Sequence, residues 1–121
     1  MGKAVRYELL NGELRNREAP TTFHIPSKKE REKGIREGLY VKVGFELVDE
    51  KGETAYAPAI GIGQELSGER MWVKVTKVEA KDGAPTKYQG ILNNDPAVVY
   101  DFIRDGGEVC FGPEHVLDID E

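Results

Sequence analysis

Three side chains in this 121-residue sequence stand out as nucleophile or imidazole candidates: His24, Cys110 and His115. A cysteine nucleophile needs an imidazole within hydrogen-bond reach, and a structural zinc site needs four such donors at close spacing. The two histidines stand at unrelated distances along the chain from the single cysteine, so neither pattern is implied. If Val109 and Phe111 face a core, Cys110 between them faces away from it. His115 falls in a closing Gly112-Pro113-Glu114-His115 turn, where turn or capping chemistry is expected ahead of partner contact or catalysis. Asp118, Asp120 and Glu121 read as a solvated acidic tail rather than a metal set. Gly61-Ile62-Gly63 is a fragment of a phosphate loop without the following Gly-Lys-Ser/Thr. No catalytic residue, metal or cofactor is assigned.

Side chains suited to binding are easier to find. The candidates are Trp72, Lys74, Tyr88, Asn93, Asn94, Asp95, His115 and Asp118. Trp72 lies opposite Met71, Val73 and Val75 on an alternating run, beside Lys74 and Thr76. It either covers the barrel, under the helix or the 54–66 segment, or stands exposed as an interface anchor, a role aromatic residues often take. Asn93-Asn94-Asp95-Pro96 is turn chemistry or a recognition loop, since Asn and Asp side chains bond readily to nearby backbone.

The elements that must position these residues are short strands. Gly68–Pro96 organises the chain: a long strand with period-two valines, a Lys81–Pro85 turn, a second strand carrying Tyr88, Gly90 and Leu92 on one face, and a hard stop at Pro96. A glycine inside a strand, as at Gly90, marks a bend or a close backbone approach. Leu39–Val48 is the other clear strand. Glu108–Phe111, a turn or one 3₁₀ turn, and Val116–Ile119 close the fold as an SH3-like barrel does. Val41, Val43, Phe45, Met71, Val73, Val75, Leu92, Val109 and Phe111 form the expected core.

Three further stretches complete the reading. Residues 3–17, with Asn11-Gly12 at their centre, predict a hairpin, and residues 1–20 form an N-terminal hairpin or arm ahead of a single domain over 21–121. Ser27 and Glu30 form a capping box for a short polar helix ended by Gly34 or Gly38. Its Lys28, Lys29, Arg31 and Lys33 alternate with Glu30 and Glu32, as a solvated face would. Residues 54–66 are an additional strand or an ordered excursion, and 97–107 suit a helix and a strand equally. The fold class is mainly β, a small antiparallel SH3-like barrel with one or two short helices.

The net charge of −5 conceals an asymmetry. Residues 1–37 carry nine Lys/Arg against six Asp/Glu, a net of +3; residues 38–121 carry eight against sixteen, a net of −8. An acidic body repels phosphate backbones and favours a basic partner. A single cysteine suits a reducing compartment, and no apolar run approaches the roughly 18 residues of a membrane span. The expected location is therefore cytoplasmic, with no membrane or DNA partner.

Several blocks together resemble a known family: Phe23–Ser27, Gly38–Glu46, Gly68–Thr76 with its Trp72-Val73-Lys74-Val75-Thr76 core, Tyr88-Gln89-Gly90-Ile91-Leu92-Asn93-Asn94-Asp95-Pro96, and Gly107–Ile119. Over about residues 21–121 the chain resembles a bacterial and phage domain family of unknown function. That family is marked by WVKVT, G-x-L-x-N-D-P and a closing G-D-x-V-x-F, and part of it is grouped with immunity proteins of toxin systems. Residues 49–67 depart from the pattern as an insertion, and Gly107 stands where an aspartate is expected. The resemblance implies no established catalytic role. Two function classes follow, ahead of a small enzyme. One is a non-catalytic, immunity-like or anti-defence-like protein that binds a basic partner protein through its acidic face. The other is a small regulatory domain that binds a nucleotide, peptide or RNA on a Trp72/Tyr88 face.

Overall fold

The computed structural model describes residues 2–120, so Glu121 of the acidic tail lies outside the described residues. The elements are β1 (Arg6–Leu9), α1 (Gly12–Glu18), α2 (Lys28–Lys33), β2 (Tyr40–Val48), β3 (Ala57–Pro58) and β4 (Glu65–Leu66). They are followed by β5 (Gly68–Lys81), β6 (Ala84–Leu92), β7 (Glu108–Phe111), a 3₁₀ turn (Pro113–His115) and β8 (Val116–Asp120). The main sheet is antiparallel in the order β1-β2-β5-β6-β7, and β8 returns to pair with β2.

β2 is the strand around which the sheet curls. Its residues Tyr40–Glu46 pair with β5. Its other edge is shared end to end, with β8 along Tyr40–Val43 and β1 along Phe45–Val48. β7 pairs with β6 alone, and the chain crosses through the 3₁₀ turn from that edge back to β2, so the sheet is a curled half-barrel whose strands must bend strongly. Register shifts in β5 at Val75/Lys77 and Glu79/Ala80 supply part of the bend. Gly90 supplies another part: a Cβ there would lie 2.4 Å from Val73 Cγ1 and 2.7 Å from the Lys74 carbonyl. Only glycine lets β6 approach β5 so closely.

Alternation along the strands sends one set of side chains inward. All nine expected core residues are buried, joined by Tyr88, Val116, Val98 and Val99. Each large apolar side chain taken from water contributes about 1.5–3 kcal/mol. The 49–67 excursion is ordered. It forms the two-residue strands β3 and β4, paired with each other, and sends Ala55 and Ala59 into the core.

Two local expectations are corrected. Asn11-Gly12 does not turn a hairpin. Asn11 caps α1, its Oδ1 accepting from the Leu14 amide at 3.0 Å. The edge that β1 needs is offered by β2 instead, and residues 13–18, with Leu14 alone apolar, lack the alternation that would hold a second arm. Residues 97–107 are neither helix nor strand. They form a packed loop that buries Val98, Val99 and Ile103. The amides of Ala97, Val98 and Val99 are taken by the Glu69 carboxylate at 2.6–3.0 Å, which removes the need for a helical or sheet ladder.

The capping box of α2 forms as expected, with Ser27 Oγ accepting from the Glu30 amide and the Ser27 amide donating to Glu30 Oε1. Arg31 breaks the solvated-face expectation, because it is buried. Its Nε donates to the Pro26 carbonyl at 2.9 Å and its Nη1 to that of Pro113 at 3.1 Å, with Glu13 Oε2 also 3.1 Å from Nη1. One guanidinium therefore joins both helices to the 3₁₀ turn.

Candidate functional site

The same period that buries Met71, Val73 and Val75 of β5 turns Arg70, Trp72 and Lys74 outward. Cross-strand register sets Trp72 opposite Lys42 of β2, and Lys42 opposite Asp118 of β8. One row therefore runs Asp118, Lys42, Trp72 across the outer face. The Lys42 ammonium sits 4.8 Å above the Trp72 ring, and the Arg70 guanidinium 5.1 Å from the Phe23 ring. Cations held on aromatic faces contribute about 0.5–1 kcal/mol at exposed sites.

The Phe23–Pro26 segment crosses this face on its way to α2. Beneath and beside it lies an open groove of about 650 Å³, lined by His24, Ile25, Pro26, Lys42, Arg70 and Asp118 among others. Asn16 Nδ2 donates to the Phe23 carbonyl at 2.7 Å and fixes the start of the segment. The groove holds both signs of charge, since Glu30 also lines it.

The expected site residues divide into three groups. Trp72, Lys74, Asn94 and Asp118 do gather on the outer face. Asn94 is tied there by its Oδ1, which accepts from the Trp72 amide, while the Asn93 amide donates to the Trp72 carbonyl at 2.9 Å. The Asn93-Asn94 turn thus performs backbone chemistry on β5. Asp95 is exposed on the loop that follows and lines a separate cleft. Tyr88 and His115 are elsewhere.

Tyr88 is a correction. It is fully buried, its ring 5.3 Å from that of Phe111. The alternation that puts Leu92 inside puts Tyr88 inside as well, four residues earlier, whereas Trp72 is outside; the two aromatics share no face. Burial, reinforced by nearby Glu32 and opposed by Arg31, pushes the Tyr88 phenol up to about 12. The hydroxyl is therefore a neutral donor at physiological pH, and it donates to the Arg31 carbonyl at 2.7 Å.

His115 is a capping residue. Its Nδ1 accepts from the Gly112 amide at 3.0 Å, which closes the 3₁₀ turn. Burial lowers its pKa, against the opposing pull of Glu114 and Glu13. An Nδ1 that accepts a backbone proton carries none of its own, so the 3.5 Å approach of Glu114 is not an ion pair in the neutral state. Cys110 is exposed on the outward face of β7. Among the described residues, no group of three or more His, Cys, Asp and Glu side chains is placed to hold a metal ion, and no helix is long and apolar enough to cross a membrane.

A second surface escapes the sequence reading. Tyr56, Ile60, Ile62 and Phe102 are among the exposed large apolar side chains, and all four belong to the 49–67 and 93–107 loops. These loops pack together at the end of the barrel where β2 and β6 finish. The Ile60 amide donates to the Ala97 carbonyl at 2.9 Å, and the Tyr100 hydroxyl to the Pro58 carbonyl at 2.8 Å. The available signal was an apolar residue between two glycines, Gly61-Ile62-Gly63, lying between polar turns, which suits a hairpin tip better than a phosphate loop. No protein-family model matches the chain, and neither a curated protein nor a solved structure does.

Proposed function

We propose that this chain is a non-catalytic protein-binding module that meets a basic partner through its acidic barrel. The immunity-like role implied by the family resemblance, blocking a toxin or a host factor in the cytoplasm, belongs to the same proposal. The observation that carries it is where the charge sits. Residues 49–67 hold four acidic side chains against one lysine, and 93–107 hold three against one arginine. Two loops distant in sequence thus bring a net charge of −5 to one end of the molecule. Such a field steers a basic partner and appears in the association rate.

The test is binding kinetics against the partner isolated from the native host, at low and high salt. Association should slow strongly with salt, because exposed charges are screened beyond roughly 8–10 Å near physiological ionic strength. An association rate indifferent to salt would count against the reading. So would turnover of a substrate that is lost on His115→Ala.

The outer-face groove favours a second reading, in which a nucleotide or peptide is held by Lys42, Arg70 and His24 beside Trp72. Tyr88 cannot take part. A Trp72 indole resonance that shifts on titration with such a ligand, while the loop residues stay still, would favour this reading over the first.

A further inference from the structure

We propose that the β3–β4 hairpin tip, Ile60–Gly63, is the anchor of the partner interface, and that the cleft beside it receives a lysine or arginine of that partner. This rests on the protein-binding reading above and adds where contact is made. Ile60 is 63% exposed and Ile62 53%. Solvated isoleucines are common singly, but these two are held in one fixed shape. Gly61 and Gly63 both adopt positive φ, at +79° and +75°, a backbone region that β-branched residues avoid. The Ala59 amide donates to the Gln64 carbonyl at 2.8 Å and closes the tip, and the Ile60 amide ties it to Ala97. An apolar knob already ordered in the free protein loses little entropy on docking.

The surroundings select the occupant. Ile60 forms one wall of a cleft of about 560 Å³ whose other lining residues are Asp95, Pro96, Ala97, Arg104 and Asp105. Two exposed carboxylates against one guanidinium leave the cleft acidic. An apolar knob beside an acidic cleft complements a protein surface with an apolar hole flanked by Lys or Arg. It opposes an anionic membrane, whose headgroups the same carboxylates would repel. A second copy of this chain that met the tip with its own acidic end would be repelled in the same way.

The full-length protein with a benzophenone photocrosslinker at position 62, or at position 74 on the outer sheet face, is irradiated in the native host, and the adduct is identified and purified. An adduct from position 62 and none from 74 is expected. The purified partner is then titrated with wild type, Ile60→Ser/Ile62→Ser and Asp95→Asn/Asp105→Asn. The isoleucine pair should weaken binding about thirty-fold, the range of an interface hot spot, mostly through faster dissociation. The aspartate pair should slow association several-fold and reduce its salt dependence. A salt-sensitive partner that binds the isoleucine variant as tightly as wild type, or that crosslinks from 74 alone, overturns the anchor and leaves the protein-binding reading standing. No adduct from either position overturns both. Binding to phosphatidylserine/phosphatidylcholine vesicles, or self-association in sedimentation, that is lost in the isoleucine variant would overturn the proposed occupant.

Discussion

Two regions of this barrel solve the same problem with opposite charges. Where the 93–107 loop crosses the end of the barrel, its backbone presents free amides, and the Glu69 carboxylate of β5 takes three of them. Where the helices meet the 3₁₀ turn, the Arg31 guanidinium of α2 donates to two backbone carbonyls, that of Pro26 and that of Pro113, which also accepts from the Val116 amide. Irregular backbone that packs against a core must find partners away from water, and one long charged side chain on a regular element supplies several at once. The difference lies in what surrounds each knot. Arg31 is sealed among three elements and paired with Glu13. Glu69 is half-buried, and the loops around it keep Tyr56, Ile60, Ile62 and Phe102 in solvent. The helical side is architecture throughout, whereas the loop end is architecture beneath a surface left open for contact.

Removing the buried cation should show the largest effect. Arg31→Met strips the Pro26 carbonyl of its side-chain donor, leaves the Pro113 carbonyl with the Val116 amide alone, and leaves Glu13 beside an apolar chain. A loss of about 3 kcal/mol in urea denaturation is expected, the low end for deleting one member of a buried ion pair, because Glu13 keeps about a third of its side chain in solvent. A loss below about 1 kcal/mol would show that water replaces the guanidinium and that the helical side is not sealed. Glu69→Ala should cost less, about 1.5–3 kcal/mol, the range of charge-assisted hydrogen bonds. It should also speed hydrogen exchange at the 97–99 amides ahead of the rest of the barrel. Uniform acceleration instead would mean that the loop does not open independently, and the contrast between the two regions would narrow.

A third expected effect is pH-dependent and belongs to the helical side. Burial depresses the His115 pKa, so the unfolded chain binds a proton more readily than the folded one. The stability this contributes is fully present above the unfolded value of about 6.5 and is lost as pH falls through the lower folded value. Urea midpoints measured from pH 7.5 downward should therefore decline, and His115→Asn should flatten that part of the profile. An unchanged slope would assign the decline to other groups. The smallest effect is expected at the loop end: Ile60→Ser/Ile62→Ser should alter stability by no more than about 0.5 kcal/mol per site, as exposed positions do. A larger loss would mean that the tip supports the core and is not a free surface.

How much was legible depended on whether a residue's role was local. Val41, Val43, Phe45, Met71, Val73 and Val75 announced their burial through period-two spacing, and Ser27 with Glu30 announced a helix start. Asn11-Gly12 misled because its chemistry serves a turn and a helix cap equally; the availability of the β2 edge decided between them. Tyr88 was legible and misjudged, because its spacing from Leu92 already placed it inside. Arg31 looked like one charge among several on a polar helix, and nothing nearby in sequence hinted at Pro113, 82 residues away.

The sequence by itself determined the alternating strands, the turns that follow β2 and β5, the α2 cap and the segregation of charge between the first third of the chain and the rest. These depend on backbone geometry and side-chain type within a few residues, so a one-dimensional reading can reach them. The tertiary structure alone decided that β8 and β1 share one edge of β2, that Glu69 and Arg31 hold the two irregular regions, and that the 49–67 and 93–107 loops meet to gather apolar and acidic side chains at one end. Those outcomes depend on which distant backbone groups are left unpaired once the sheet curls. That quantity exists only in the folded sheet, and no residue's local pattern encodes it.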